Sequence, residues 1–320
     1  MARQLFLQIS ILISLLGPSL SHSDAPTPGN GFIMVEGGPI WYEVGGEGEG
    51  VPLVTLHGGP GGRSCGFDRF YDAGMNRPIV RYDQLGTGRS GRPNDLNLWT
   101  VERYVEELHS LRAELGLDEI HLLGHSWGGA LAGAYVLEKG TEGIASIIFS
   151  SPLLSTPAWI EDANFLRSQL PPDVQQVLDE HEAAGTIDSD EYQRATAVFY
   201  SRHVTRRDGE PRTPNPDCAG QVGNDVIYNY MWGATEFNAT GTLLDFDLTP
   251  RLHEIDVPVL FMAGEYDEAR PARMREFSQL IPDSKLVIIP DAAHSALGTK
   301  TKDYISAVRE FLNGVDPVRP

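Results

Sequence analysis

The chain has 320 residues, 41% of them apolar, which is enough for a sizeable core in one or two domains. Lys and Arg number 25 against 44 Asp and Glu, a formal net charge of −19 that argues against a nucleic-acid or anionic-membrane partner and suits cationic ligands. Its two cysteines do not have the spacing of a zinc site.

In chain order, Arg3 precedes an apolar run over 5–16, then Gly17-Pro18, then the small residues Ser21 and Ser23 before Asp24. The run is too short to span a bilayer comfortably, and the layout is that of a secretory signal peptide over 1–23. Cleavage near Ser23–Asp24 and an extracellular protein without membrane contact are therefore expected. Segments 32–35 and 40–44 read as an antiparallel pair around Gly37-Gly38. A strand over 53–56 leads into His57-Gly58-Gly59-Pro60-Gly61-Gly62. A loop of this type supplies one N–H of an oxyanion hole, assigned to Gly59, because a backbone without side chains can approach the developing oxyanion to about 2.7–3.1 Å. His57 itself reads as structural. A strand over 78–81 ends in Tyr82-Asp83-Gln84-Leu85-Gly86-Thr87-Gly88-Arg89-Ser90, a turn expected to shape the same face. Its G-x-G lacks the third glycine of a dinucleotide fingerprint. Thr100 caps a helix whose apolar positions Val101, Tyr104, Val105, Leu108, Leu111 and Leu115 form a core stripe ended by Gly116.

Gly124-His125-Ser126-Trp127-Gly128 follows the apolar run Ile120-His121-Leu122-Leu123 and precedes a stretch of small residues. Strand, G-x-S-x-G turn and closely packed helix place Ser126 on a sharp bend with its hydroxyl exposed, and Trp127 supplies the second oxyanion N–H. A strand over 144–149 comes next. From about 154 to 249 the alternation of strand and helix stops, so a helical cap over 154–250 is expected between two parts of a sheet domain, 24–153 and 251–320. Within it, Val226-Ile227-Tyr228-Asn229-Tyr230-Met231-Trp232-Gly233 concentrates apolar and aromatic residues that read either as core or as a pocket wall. A strand over 258–264 is followed by Glu265-Tyr266-Asp267-Glu268, and a strand over 285–290 by Asp291-Ala292-Ala293-His294-Ser295. A weak serine nucleophile needs a base, and the base an orienting carboxylate. Ser126, Asp267 and His294 stand in the chain order of such hydrolases, with Glu265 or Glu268 able to replace Asp267. A helix over 303–312 closes the chain. No metal or cofactor is implied. Export would permit N-glycosylation of Asn238 in Asn238-Ala239-Thr240 and a disulfide between Cys65 and Cys218, whose proximity the sequence does not show.

His57-Gly58-Gly59-Pro60-Gly61-Gly62, Asp83-Gln84-x-Gly86-x-Gly88-x-Ser90, Gly124-His125-Ser126-Trp127-Gly128-Gly129 and Gly264-Glu265-Tyr266-Asp267-Glu268 together resemble the prolyl aminopeptidases (proline iminopeptidases). These are α/β-hydrolases that remove N-terminal residues, often proline, from peptides. The resemblance spans about 31–312, with Leu85 replacing an arginine often seen in that loop. It implies the same triad, and also acidic residues that hold the substrate's free α-ammonium, matched here by Glu236 and Glu268. The expectation is a secreted serine aminopeptidase acting through an acyl-enzyme on peptides or small amino-acid derivatives with a free amine. Two rivals are a hydrolase of amino-acid amides, esters or a small secondary metabolite, and a non-catalytic binding protein on this fold.

Overall fold

The computed structural model describes residues 26–206 and 218–316, so the expected signal segment lies outside the described residues. Strands β1 (Gly29–Val35) and β2 (Gly38–Gly45) form an antiparallel hairpin with Phe32 opposite Trp41. Strands β3 (Leu53–Leu56) and β4 (Ile79–Tyr82) are buried throughout, as parallel strands covered on both faces must be. Helix α1 (Val101–Glu114) starts where the Thr100 side chain accepts from the Arg103 N–H, and buries Tyr104, Val105, Leu108 and Leu111 along one stripe. Strand β5 (Ile120–His125) then turns into α2 (Trp127–Lys139), and β6 (Ile144–Ser150) follows. Helix α2 lies so close to the sheet that a methyl group on Gly128 would stand 2.0 Å from the Leu56 carbonyl oxygen.

The chain next leaves the sheet for α3 (Thr156–Arg167), α4 (Pro172–Ala184), α5 (Asp190–His203) and α6 (Asp225–Met231). Ser155, Ser189 and Asn224 cap α3, α5 and α6 by accepting backbone N–H groups. The purely helical expectation for this region needs one correction. Strands β7 (Gly233–Thr235) and β8 (Asn238–Ala239) form a small antiparallel hairpin, too short for any alternation to show in the sequence. Ala163, Leu166, Leu178, Tyr192, Phe199 and Phe237 make a small core of the cap's own. Ile227, Met231 and Trp232 join the main core instead, while Tyr228 and Tyr230 stay half-buried. The chain returns through β9 (Val259–Gly264), α7 (Pro271–Leu280), β10 (Ser284–Ile289), a short turn of helix α8 (Ala296–Thr299) and α9 (Thr301–Val315).

The eight main strands are ordered β1-β2-β4-β3-β5-β6-β9-β10; the β1–β2 and β2–β4 pairs are antiparallel and the rest parallel. Strand order reverses at β3, between β4 and β5, and open sheets of this kind gather ligands beyond the carboxyl ends at such a point.

Candidate active site

The loops after β3, β5, β6, β9 and β10 emerge on one rim, because Leu56 is level with Gly124, His125 with Ser150, Ser150 with Met262 and Gly264 with Ile289. Ser126 sits at the first of the turns onto a helix, at φ 56° and ψ −121°, a backbone conformation that costs a non-glycine residue energy. Its N–H donates to Ser150 O at 3.0 Å, and its carbonyl accepts from Gly129 N at 2.9 Å and Leu153 N at 3.1 Å. These bonds hold the strained bend. A methyl on Gly58 would stand 2.9 Å from Ser126 Cβ, so the glycine loop lies directly against this residue. The Trp127 N–H, first in α2, has no intrahelical acceptor. Ser126 Oγ makes no hydrogen bond among the described residues, and such contacts commonly tighten only with substrate in place.

Gln84 locks the loop. Its side chain accepts from Trp127 Nε1 at 2.9 Å and donates to His57 O at 3.0 Å, while its N–H donates to His57 Nε2 at 3.1 Å. Burial holds the His57 ring below the usual imidazole range against the pull of Asp83, so it serves as a neutral strut.

Asp267 and His294 meet across the ends of β9 and β10. Asp267 Oδ1 accepts from His294 Nδ1 at 3.0 Å and from Ala269 N at 2.9 Å; Oδ2 accepts from Ser151 Oγ at 2.6 Å and Gly264 N at 3.0 Å. Burial opposes its charge, yet the His294 charge and these hydrogen bonds outweigh burial and keep the carboxyl below its ordinary range. With a carboxylate accepting at Nδ1, the His294 tautomer carries its proton there and leaves Nε2 as the base. Burial lowers the affinity of His294 for a second proton, but Asp267 and then Glu236 raise it to a net value above the ordinary one. The ring is flanked by His125 at 4.7 Å between centroids and by Trp159, edge-on, at 5.7 Å. Burial and the His294 charge drive His125 down to about 3, so it stays neutral.

Glu268 is 2% exposed, and neither of its carboxylate oxygens has a hydrogen-bond partner among the described residues. Its Oε1 lies 3.8 Å from His294 Nδ1. Burial, then the charges of Glu236 and Asp267, push this carboxyl well above the usual range. Glu236, in the β7–β8 turn, is half-buried; its N–H donates to Tyr200 Oη at 3.1 Å and its carbonyl accepts from Trp159 Nε1 at 2.9 Å. Burial raises its carboxyl too, against the His294 charge. Glu268 with both acceptors unfilled, and Glu236 close enough for its charge to act on it, form a recess that a cation bearing N–H groups would satisfy.

Glu265 points elsewhere: its Oε2 accepts from Asp291 N at 2.9 Å, which leaves Asp267 alone on the imidazole with Glu268 beyond it. Asn238 is half-buried on β8, two residues from Glu236. Cys65 and Cys218 form a disulfide with Cα atoms 5.3 Å apart. Ser151 and Trp159 went unrecognised as parts of the site in the sequence, while Gln84 and His125 stood in its motifs without a role of their own. The one local signal was Ser151, following a buried strand. Among the described residues no group of three or more His, Cys, Asp or Glu could hold a metal ion, and no helix is long and apolar enough to cross a membrane.

A family model described as the alpha/beta hydrolase fold matches residues 51–301. The proline iminopeptidase of Heyndrickxia coagulans is 41% identical over 286 residues, covering 89% of this chain and 99% of that protein. That of Saccharolobus solfataricus is 35% identical over 290 residues, covering 89% and 92%. Among solved structures, the proline iminopeptidase of Mycobacterium smegmatis superposes with a TM-score of 0.80 at 32% identity, covering 90% of this chain and 98% of that one. The structure of VinJ gives a TM-score of 0.81 at 31% identity, covering 90% and 100%. With a parallel sheet, an inserted cap and relatives matched over nearly their whole length, this chain belongs to the proline iminopeptidase family of α/β-hydrolase serine peptidases.

Proposed function

We propose that the protein is a secreted aminopeptidase that releases N-terminal residues, proline foremost, from peptides with a free amine. The observation that carries this reading is Glu268, an almost fully buried acid with both oxygens unpartnered beside His294. Unpaired, that carboxyl is driven towards its protonated form by burial and by the Glu236 and Asp267 charges, and a cation beside it restores the carboxylate. A substrate ammonium one residue from the scissile carbonyl supplies the charge and the donors, with Glu236 as its second partner.

In the reaction, His294 Nε2 takes the proton of Ser126 Oγ as the oxygen bonds to the substrate's first peptide carbonyl carbon. The carbonyl electrons move onto oxygen, which the N–H groups of Gly59 and Trp127 receive. Collapse breaks the C–N bond, and His294 returns its proton to the leaving amine. Water then repeats the sequence on the ester and frees the amino acid and Ser126. Asp267 keeps the imidazole oriented and stabilises its charged form.

The test compares prolyl, alanyl and leucyl arylamides, their N-acetylated forms and a neutral short-chain ester. Glu236→Gln and Glu268→Gln are each expected to lower kcat/KM on free-amine substrates about 10–100-fold, as for a charge-assisted hydrogen bond, with far smaller loss on the ester. Equal loss on both classes would make the glutamates structural. Efficient cleavage of N-acetylated arylamides would overturn the aminopeptidase reading in favour of a general amide or ester hydrolase.

Export with cleavage near Ser23–Asp24 belongs to the same proposal. It is supported by the apolar leader and by the Cys65–Cys218 disulfide, a bond that persists in oxidising compartments. Protein purified from culture medium is expected to begin near Asp24; active intracellular protein that retains Met1 would end this part of it.

A further inference from the structure

Beside the oxyanion loop lies an open cleft of about 340 Å³, walled on one side by Gly59 to Arg63 and on the other by Gly223, Asn224, Asp225 and Tyr228. Its two walls are tied together where Asn224 N donates to Gly61 O at 2.7 Å, and the loop folds back where Gly62 N donates to Gly58 O at 3.1 Å. Arg63 is the one cationic side chain in the lining, and it is partly buried. One of its terminal nitrogens, Nη1, donates to Gln221 O; its Nε and Nη2 have no partner among the described residues. A guanidinium offers five N–H donors in a planar fork suited to a carboxylate, so most of its capacity is unspent.

The three substituents of the carbonyl under attack must point three ways. The α-ammonium is directed to Glu236 and Glu268, and the oxygen to Gly59 and Trp127. The departing nitrogen and its chain are left with the outer side of the oxyanion loop. Tyr228 joins the two regions, because it lines the cleft while burial, and then the Glu236 and Glu268 charges, oppose ionisation of its hydroxyl.

We propose that this cleft receives the leaving portion of the substrate, and that Arg63 binds its C-terminal carboxylate when that portion is a single amino acid. The proposal rests on the aminopeptidase reading and adds a substrate class to it, the free dipeptide. In a chain of net charge −19 a carboxylate-bearing leaving group is repelled over most of the surface, whereas in this lining the Arg63 cation offsets the one acid, Asp225. The reach is also selective. Each further residue moves the terminal carboxylate about 3.3–3.6 Å along an extended chain, away from a guanidinium anchored to Gln221.

The test measures kcat/KM for prolyl-glycine, prolyl-glycinamide, prolyl-glycyl-glycine and a prolyl arylamide, on the native enzyme and on Arg63→Gln and Arg63→Lys. The native enzyme is expected to prefer prolyl-glycine over its amide by about tenfold or more, expressed mainly in KM, and over the tripeptide by a similar factor. In Arg63→Gln the acid-to-amide ratio is expected to collapse towards one, with partial recovery in Arg63→Lys. A native ratio near one, or a ratio that survives in Arg63→Gln, overturns the assignment. The native comparison varies only the substrate, so it decides even where loss of the Gln221 contact prevents the variant from folding. Arylamide turnover with a flat ratio rejects Arg63 alone; absence of cleavage of every free-amine substrate rejects the aminopeptidase reading and this one with it.

Discussion

Two acids, placed differently, raise the proton affinity of His294. Asp267 has four donors on its two oxygens and stays ionised beneath the ring. Glu236 also raises the imidazole's proton affinity, across the site, so that despite burial His294 titrates above its ordinary value of about 6.5. A base must be neutral to accept the Ser126 proton. Turnover is therefore lost as pH falls through the His294 value, and kcat/KM is expected to rise through a midpoint above the ordinary imidazole range. Replacing Glu236 by Gln removes one of the charges that favour the imidazolium, so the midpoint is expected to move to lower pH. The measurement belongs on a neutral ester, where lost amine binding does not enter the profile. An unmoved midpoint in Glu236→Gln would show that this carboxylate does not act on the imidazole. His125, held neutral near the same ring, adds no charge of its own over this range.

Elements differ in how much of their role is written locally. The nucleophile turn was legible because its requirements are local: a buried strand, a bend at positive φ, and a helix so close that Gly128 has no room for a side chain. Asp267 and His294 were legible because each follows a late apolar strand, and parallel topology puts the ends of those strands on one rim. The support around them was not legible, since it comes from contacts between distant segments. Ser151 reaches Asp267 across 116 residues, and the Trp159 that flanks His294 stands on a cap helix whose sequence gives no sign of its direction. The end of α5 shows the same limit. The His203 carbonyl accepts from both Glu268 N and His294 N at 3.2 Å, so one cap residue sets the spacing of the loops after β9 and β10. Its ring Nδ1 pairs with Tyr266 O at 2.9 Å in the first of those loops. Asp162 on α3, only 2% exposed, fastens the cap to the beginning of α7 through Arg270 at 2.9 Å and Arg273 at 3.2 Å. The aromatic run around α6 had two readings in the sequence because helical geometry divides it. Ile227 and Met231, four residues apart, face the core, and Tyr228 faces the cleft.

The whole molecule holds its cap from two sides, with the site between them. On one side are His203 and Asp162. On the other, the segment 218–224 lies along the core loops: Asn224 N on Gly61 O at 2.7 Å, Asn224 Nδ2 on Gly86 O at 2.9 Å, Arg92 Nη2 on Val222 O at 2.7 Å and Gly88 N on Val222 O at 3.3 Å. The Cys65–Cys218 bond closes this second clasp, three residues beyond Gly62 of the oxyanion loop, and joins positions 153 apart in sequence. A cross-link over so long a loop removes much of the freedom of the unfolded chain, with about 2–4 kcal/mol typical and about 5 kcal/mol near the upper end. The double substitution Cys65→Ser, Cys218→Ser is expected to lower unfolding stability by that order. In urea the midpoint should fall, and the slope should rise because the unlinked chain exposes more surface. The same variant is expected to raise KM for dipeptides more than it lowers kcat. The strap it loosens walls the cleft at Asn224 and Tyr228, whereas Asp267 and His294 are held from the opposite side. An unchanged urea midpoint would mean that the backbone bonds of 218–224 suffice without the sulfur bridge. A loss confined to kcat would place the effect of the bridge on the Gly59 N–H, through the loop that Asn224 holds, and away from the cleft.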